Sequence, residues 1–143
     1  MKYTSLKLML MLFVAISITS CETYDDFDSD RPTVIGFLGN DGTIQVPDGS
    51  SVETDINVFV SDMSSNARTF NVVVSEDSTV SSDNYSFNAT VEIAPNEREG
   101  TFSFTATDSS LTTEEKTLTF AFDNSDPSYV SGDPITFTIT LDE

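Results

Sequence analysis

From Thr33 onward, apolar residues fall on alternate positions along the chain. Val52, Thr54, Ile56, Val58 and Val60 alternate with Glu53, Asp55, Asn57, Phe59 and Ser61. Successive side chains of an extended strand point to opposite sides, so this pattern predicts a strand with one buried face. The same period returns at Phe70, Val72 and Val74, at Val91 and Ile93, and at Phe102, Phe104 and Ala106. It recurs at Leu118, Phe120 and Phe122 and at Ile135, Phe137, Ile139 and Leu141. With Val34 to Leu38 and Thr43 to Val46 ahead of them, seven or eight short strands are predicted, and no window sustains a helical period.

The separators are turn formers: Asn40-Asp-Gly42, Pro47-Asp-Gly49, Pro95-Asn96, Asp123-Asn-Ser-Asp-Pro127 and Gly132-Asp-Pro134. Strands at this spacing predict an all-β, antiparallel sandwich of the immunoglobulin-like kind over residues 33–143. The chain has no tryptophan and only one cysteine. Phenylalanines must therefore fill the core that a tryptophan and a disulfide fill in true immunoglobulin domains. Thr136, Thr138 and Thr140 fall on the outward face of the last strand, where β-branched polar residues suit a wet sheet.

The N-terminus has a different pattern. Lys2 and Lys7 precede an apolar run from about Leu8 to Ile18, and the small residues Ser17, Thr19 and Ser20 stand before Cys21. These are the parts of an export signal. The run would make a helix of only roughly 16 Å, too short to cross a bilayer core. Cleavage is therefore expected, with residues 1–20 as a signal peptide. An oxidising compartment uses cysteines in pairs, so a lone free thiol in a secreted chain is unusual. Ile18-Thr-Ser-Cys21 resembles a bacterial lipobox, with Ile18 and Ser20 in place of the usual Leu and Ala or Gly. The resemblance implies that Cys21 is acylated and becomes the first mature residue.

Loss of Lys2 and Lys7 with the signal takes the net charge from −18 to −20. Such a chain is repelled by nucleic acid and by anionic lipid, so no nucleic-acid partner is expected and the lipid on Cys21 must hold the membrane. Residues 21–32 form an acidic tether, with five acids between Glu22 and Asp30. Acids just after the cysteine resemble the surface-export signal of Bacteroidota lipoproteins, which implies an outer-membrane protein facing outward. Asp26, Asp28 and Asp30 have the spacing that opens an EF-hand loop. Arg31 and Pro32 then replace its glycine, and Phe37 stands where its bidentate Glu belongs, so that motif is rejected.

Ser75-Glu-Asp-Ser-Thr-Val-Ser-Ser-Asp-Asn-Tyr85 resembles the Calx-beta segment in which Ser-Asp-Gly-Thr-Ala is followed by Asp-Tyr. Val91-Glu-Ile-Ala-Pro-Asn-Glu97 is similar to that family's apolar strand followed by Pro, Gly and Glu. Thr105 to Phe120 and Phe122 to Ile139 resemble its Asp-rich turn and terminal hairpin. The resemblance implies a Calx-beta-like sandwich, and with it calcium held by acids from several loops at one end. The matching positions are Asp48, Asp83, Asp108 and Glu114 or Glu115. Ser109, Ser110, Thr112 and Thr113 stand where paired acids are expected, which weakens the site.

Enzymatic function is not expected. The chain has no histidine, the commonest general base and zinc ligand, and no nucleophile elbow or phosphate-cradling glycine loop. Glu76 with Asp77 and Glu114 with Glu115 are the only adjacent carboxylates considered for glycosidase chemistry. Asp77-Ser-Thr79 resembles the short O-glycosylation motif of Bacteroidota exported proteins, which makes Ser78 its acceptor. Asn84-Tyr-Ser86 and Asn88-Ala-Thr90 match the eukaryotic sequon, which a bacterial host does not normally read. Tyr24, Phe27, Tyr85 and Tyr129 are the aromatic residues considered for a sugar-binding surface. The sequence thus predicts a lipid-anchored, non-enzymatic binding or structural module whose partner is an envelope protein complex or a polysaccharide. The alternative is a calcium-binding accessory domain of an adhesion or polysaccharide-uptake system.

Overall fold

The computed structural model describes residues 31–142, so Cys21, the signal peptide and most of the acidic tether lie outside the described residues. Ten strands follow in order: β1 Thr33–Leu38, β2 Gly42–Pro47, β3 Ser51–Val60, β4 Arg68–Val74, β5 Tyr85–Phe87, β6 Thr90–Ile93, β7 Glu99–Thr107, β8 Lys116–Phe122, β9 Tyr129–Ser131 and β10 Ile135–Asp142. One 3-10 turn, Ser82–Asn84, precedes β5. The strands form two five-stranded sheets, with orders β5-β7-β3-β1-β9 and β2-β10-β8-β4-β6.

The expected period-two strands are all present. The two not anticipated, β5 and β9, have three residues each, too few for alternation to be visible. Most pairings are antiparallel, as expected, but β1 pairs β9 in parallel and β2 pairs β10 in parallel. The reason is a change of sheet at residues 39–41. There the chain leaves β1 in one sheet and enters β2 in the other, and the Asp41 carboxylate accepts the Thr136 N–H at 2.8 Å, fixing the crossing to β10.

The inward faces meet in one core. Phe102, Phe104, Phe120 and Phe122 are among its largest fully buried side chains. Phe120 is edge-on or tilted to Phe102 and Phe104, each at 4.9 Å between centroids, and Phe37 stacks on Phe122 at 4.6 Å. Aromatic pairs at this spacing add to the stabilisation from burial. This ring cluster takes the central place that the absent tryptophan and disulfide leave. The sheets approach closely where β6 passes β7. A Cβ on Gly100 would lie 2.8 Å from the Glu92 carbonyl and 2.7 Å from Ile93 Cδ1, so only glycine fits there. The outward face of β10 carries the expected half-exposed threonines, and Thr136 meets Thr119 at 2.9 Å between hydroxyls.

Strand directions place the loops in two groups. The β2–β3 turn, the segment from Ser75 to Asn84 and the β7–β8 loop gather at one end of the sandwich. The start of β1, the β3–β4 loop and the β8–β9 loop gather at the other.

Candidate functional site

The first end contains all five acids considered as calcium ligands. Asp108 follows β7, and both of its carboxylate oxygens are engaged with backbone: Oδ2 accepts the Gly49 N–H at 2.9 Å and Oδ1 the Leu111 N–H at 3.1 Å. Gly49 has φ +64°, a left-handed conformation that glycine adopts without steric cost, and this turns its N–H toward Asp108. Beside it sits Asn84, 2% exposed and the one buried polar residue among those described. Its Oδ1 accepts the N–H groups of Ser109 and Ser110 at 3.0 and 2.9 Å, and its Nδ2 donates to Ser110 Oγ at 3.1 Å. Buried amides need partners, and all three side-chain bonds of Asn84 go to the loop that follows Asp108.

The other four acids do not join Asp108. Asp48 lies exposed in the β2–β3 turn, Asp83 is exposed on the 3-10 turn, and Glu115 is exposed in the loop before β8. Glu114 accepts from Lys116 Nζ at 2.8 Å, which holds its carboxyl below the usual range. Asn84, Glu114 and Lys116 border a hollow of about 260 Å³ in which Glu114 is the only carboxylate among the lining residues. Calcium takes six to eight oxygen ligands with several carboxylates converging. Among the described residues, no group of three or more His, Cys, Asp or Glu side chains is placed to hold a metal. The donor set at this end does not fit the ion that the sequence resemblance implies. The acid positions are present, but the one at the centre is committed to backbone N–H groups.

Other candidate residues have structural partners. Ser78 Oγ accepts the Thr119 N–H at 3.0 Å and is half-buried, so the oxygen of the proposed glycosylation acceptor helps dock the Ser75–Val80 segment on β8. Asn84 cannot present its amide to solvent, whereas Asn88 is exposed. Tyr85 is half-buried against Phe87, and Glu76 and Asp77 are exposed neighbours in a turn.

The second end is built differently. Arg68 opens β4 and binds Asp62 of the β3–β4 loop twice, through Nη1 to Oδ1 at 3.0 Å and Nη2 to the carbonyl at 2.7 Å. Nη1 also reaches Thr33 Oγ1 at 3.4 Å. Burial raises the Asp62 carboxyl, but the hydrogen bonds from Arg68 and Thr33 and the guanidinium charge outweigh it and hold it below 3.8. Across from Arg68, the β8–β9 loop is folded by its own side chains. Asp123 accepts the N–H and hydroxyl of Ser125, Asp126 Oδ1 accepts the Ser128 N–H at 2.8 Å, and Asn124 Oδ1 accepts the Ser131 N–H at 3.1 Å. The Tyr129 hydroxyl donates to the Asp123 carbonyl. Burial, and then the charges of Asp123 and Asp126, keep that phenol protonated to higher pH than usual.

Between these walls lies a groove of about 270 Å³ lined by Thr33, Arg68, Thr69, Phe70, Asp126, Ser128 and Tyr129. Phe70 and Tyr129 meet edge to face at 5.1 Å at its base, and the Arg68 guanidinium stands 5.9 Å from the Phe70 centroid. Hydrogen bonds from the Ser128 backbone and hydroxyl hold the Asp126 carboxyl below the usual range, so it is ionised. Of these residues the sequence reading singled out only Tyr129. Arg68 carried a usable signal, because it is one of just three cationic residues after Pro32.

No family model and no curated protein matches the sequence. Solved structures do resemble it. A Bacteroides ovatus protein of unknown function superposes with TM-score 0.59 at 13% identity, covering 75% of this chain and 44% of that one. CBD12 from CALX1.2 gives TM-score 0.57 at 18% identity, covering 76% and 45%. A Bacteroides ovatus protein provisionally described as carbohydrate binding gives 0.57 at 11%, covering 77% and 37%. The chain thus spans less than half the length of these structures. The fold shared with the CALX domain is a Calx-beta-like β-sandwich.

Proposed function

We propose that this protein is a lipid-anchored binding module of the bacterial cell envelope, held at the outer membrane through Cys21 and displaying its sandwich at the cell surface. The observation that carries the binding reading is the groove lined by Arg68 and Asp126, where fixed polar groups stand beside an apolar base. Such concave sites with a few placed polar groups are the usual form of a ligand site. Likeness to a protein provisionally described as carbohydrate binding supports the same reading. The anchor rests on the sequence around Cys21. Fractionation of cells expressing wild type and Cys21→Ala tests it: the wild type should pellet with membranes and be cut by protease added to intact cells, and the variant should not pellet. Equal pelleting of both would overturn the anchor.

A calcium-binding accessory domain is the second reading, supported by the likeness to the calcium-binding domain CBD12 of CALX1.1. A ligand that binds only the folded state raises the unfolding midpoint. Millimolar calcium should therefore leave the midpoint unchanged under the first reading and raise it under the second.

A further inference from the structure

We infer that the groove at the Arg68 end is a subsite for one ring of a neutral, hydroxyl-rich glycan; this rests on the binding-module reading and names its ligand class. The groove is lined by both a guanidinium and a carboxylate, and each is fixed by a partner other than the other: Arg68 by Asp62 and Asp126 by Ser128. A guanidinium has five N–H donors, and those not given to Asp62 and Thr33 remain for a ligand. A ligand filling the groove must accept from the guanidinium and donate to the carboxylate. A hydroxyl does both, and a pair of neighbouring hydroxyls on a sugar ring can do so at two points. Thr33, Thr69 and Ser128 add hydroxyls that can both give and take hydrogen bonds. Phe70 and Tyr129, 4% and 7% exposed, give the C–H bonds of the sugar a small apolar patch at the base of the groove.

Size and charge narrow the class further. Pockets for drug-sized ligands run from about 300 to 1,000 Å³. A groove of about 270 Å³ therefore suits a single ring with its neighbours in the chain lying outside. The protein carries a net charge of −18, which repels uronic acids and sulfated sugars and favours neutral ones. One ring in an open groove gives few contacts, so affinity is expected at about the millimolar level, with multivalent display needed for tight attachment.

The test is a titration of the full chain in detergent, followed by amide chemical shifts, with glucose, mannose, galactose, N-acetylglucosamine and their short oligomers, and with glycylglycine as a zwitterionic control. At least one neutral sugar should shift amides of Thr33, Thr69, Ser128 and Tyr129. Asp126→Asn, an exposed substitution that spares the core, and Arg68→Lys, which keeps the charge but loses the fork, should each weaken it about tenfold, the loss expected for a charge-assisted hydrogen bond. A sugar that binds with equal affinity to wild type and both variants overturns this site while leaving a glycan-binding module standing. Binding of glycylglycine alone overturns the ligand class. Blank titrations with every probe overturn the inference, and a blank array of intact envelope polysaccharides in addition would take the carbohydrate form of the binding reading with it.

Discussion

The two ends of the sandwich are made from the same short list of residues, chiefly Asp, Asn, Ser and Thr, yet they direct their polar atoms in opposite ways. At the Asn84 end the side chains turn inward and close the β7–β8 loop with bonds to its own backbone. At the Arg68 end, Arg68 is held by Asp62 and Asp126 by Ser128, and both side chains line an open groove. What differs is how many backbone N–H groups each carboxylate takes: Asp108 accepts two, one at each oxygen, whereas Asp126 accepts one at Oδ1. The β2–β3 turn puts the Gly49 N–H beside Asp108, whereas the partner of Asp126, Ser128, lies two residues along the same loop.

If this contrast holds, the largest effect should come from Asn84→Ala. It removes three hydrogen bonds and takes from the Ser109 and Ser110 N–H groups their buried acceptor, a loss of about 3 kcal/mol. The melting midpoint should fall by about 10 °C or more, and calcium should not restore it. Asp108→Ala removes the bonds to Gly49 and Leu111 and should cost about 1–2 kcal/mol in urea unfolding. A variant as stable as wild type would mean that the closed loop is not held by these bonds.

The Arg68 end should respond to pH instead. Folding lowers the Asp62 carboxyl below 3.8, so its contribution is complete above that value and is lost as pH falls through the lower folded one. Comparing urea midpoints of wild type and Asp62→Asn from pH 6 to pH 3, the gap between them should be constant at first and shrink below about pH 3.8. The smallest effect is expected for Lys116→Met. The Glu114–Lys116 pair is exposed, and such pairs contribute little, so the midpoint should not move measurably.

Much of the architecture was legible because alternation of apolar residues maps directly on to the faces of a strand. Ile56, Val58 and Val60 are buried as that pattern requires, and so are Phe102, Phe104 and Ala106. The pairing partners were not legible. Nothing local in Gly42–Pro47 marks it as a neighbour of β10 rather than of β1, since the choice is made by the sheet change at residues 39–41. The sites were less legible still. Asp108 was identifiable as an acid in a loop, but whether its oxygens face an ion or an amide depends on where Gly49 lies, 59 residues earlier. Asn84 looked like part of a surface sequon and is in fact buried. Its function follows from the β7–β8 loop folding over it, which no spacing within Ser75–Tyr85 records.

The parallel pairing of β2 with β10 also bears on how the protein comes into being. Among the described residues β2 has β10 as its one hydrogen-bonded strand neighbour and must wait for a strand made late, whereas β1 can pair β3 before β9 is made. Joining Thr43 to Thr138 closes nearly the whole domain in a single loop, the kind of distant contact that slows folding. A nascent chain halted before Ile135 would hold an unpaired β2 and an incomplete second sheet. The second sheet is therefore complete only once its last strand in the chain, β10, has been made.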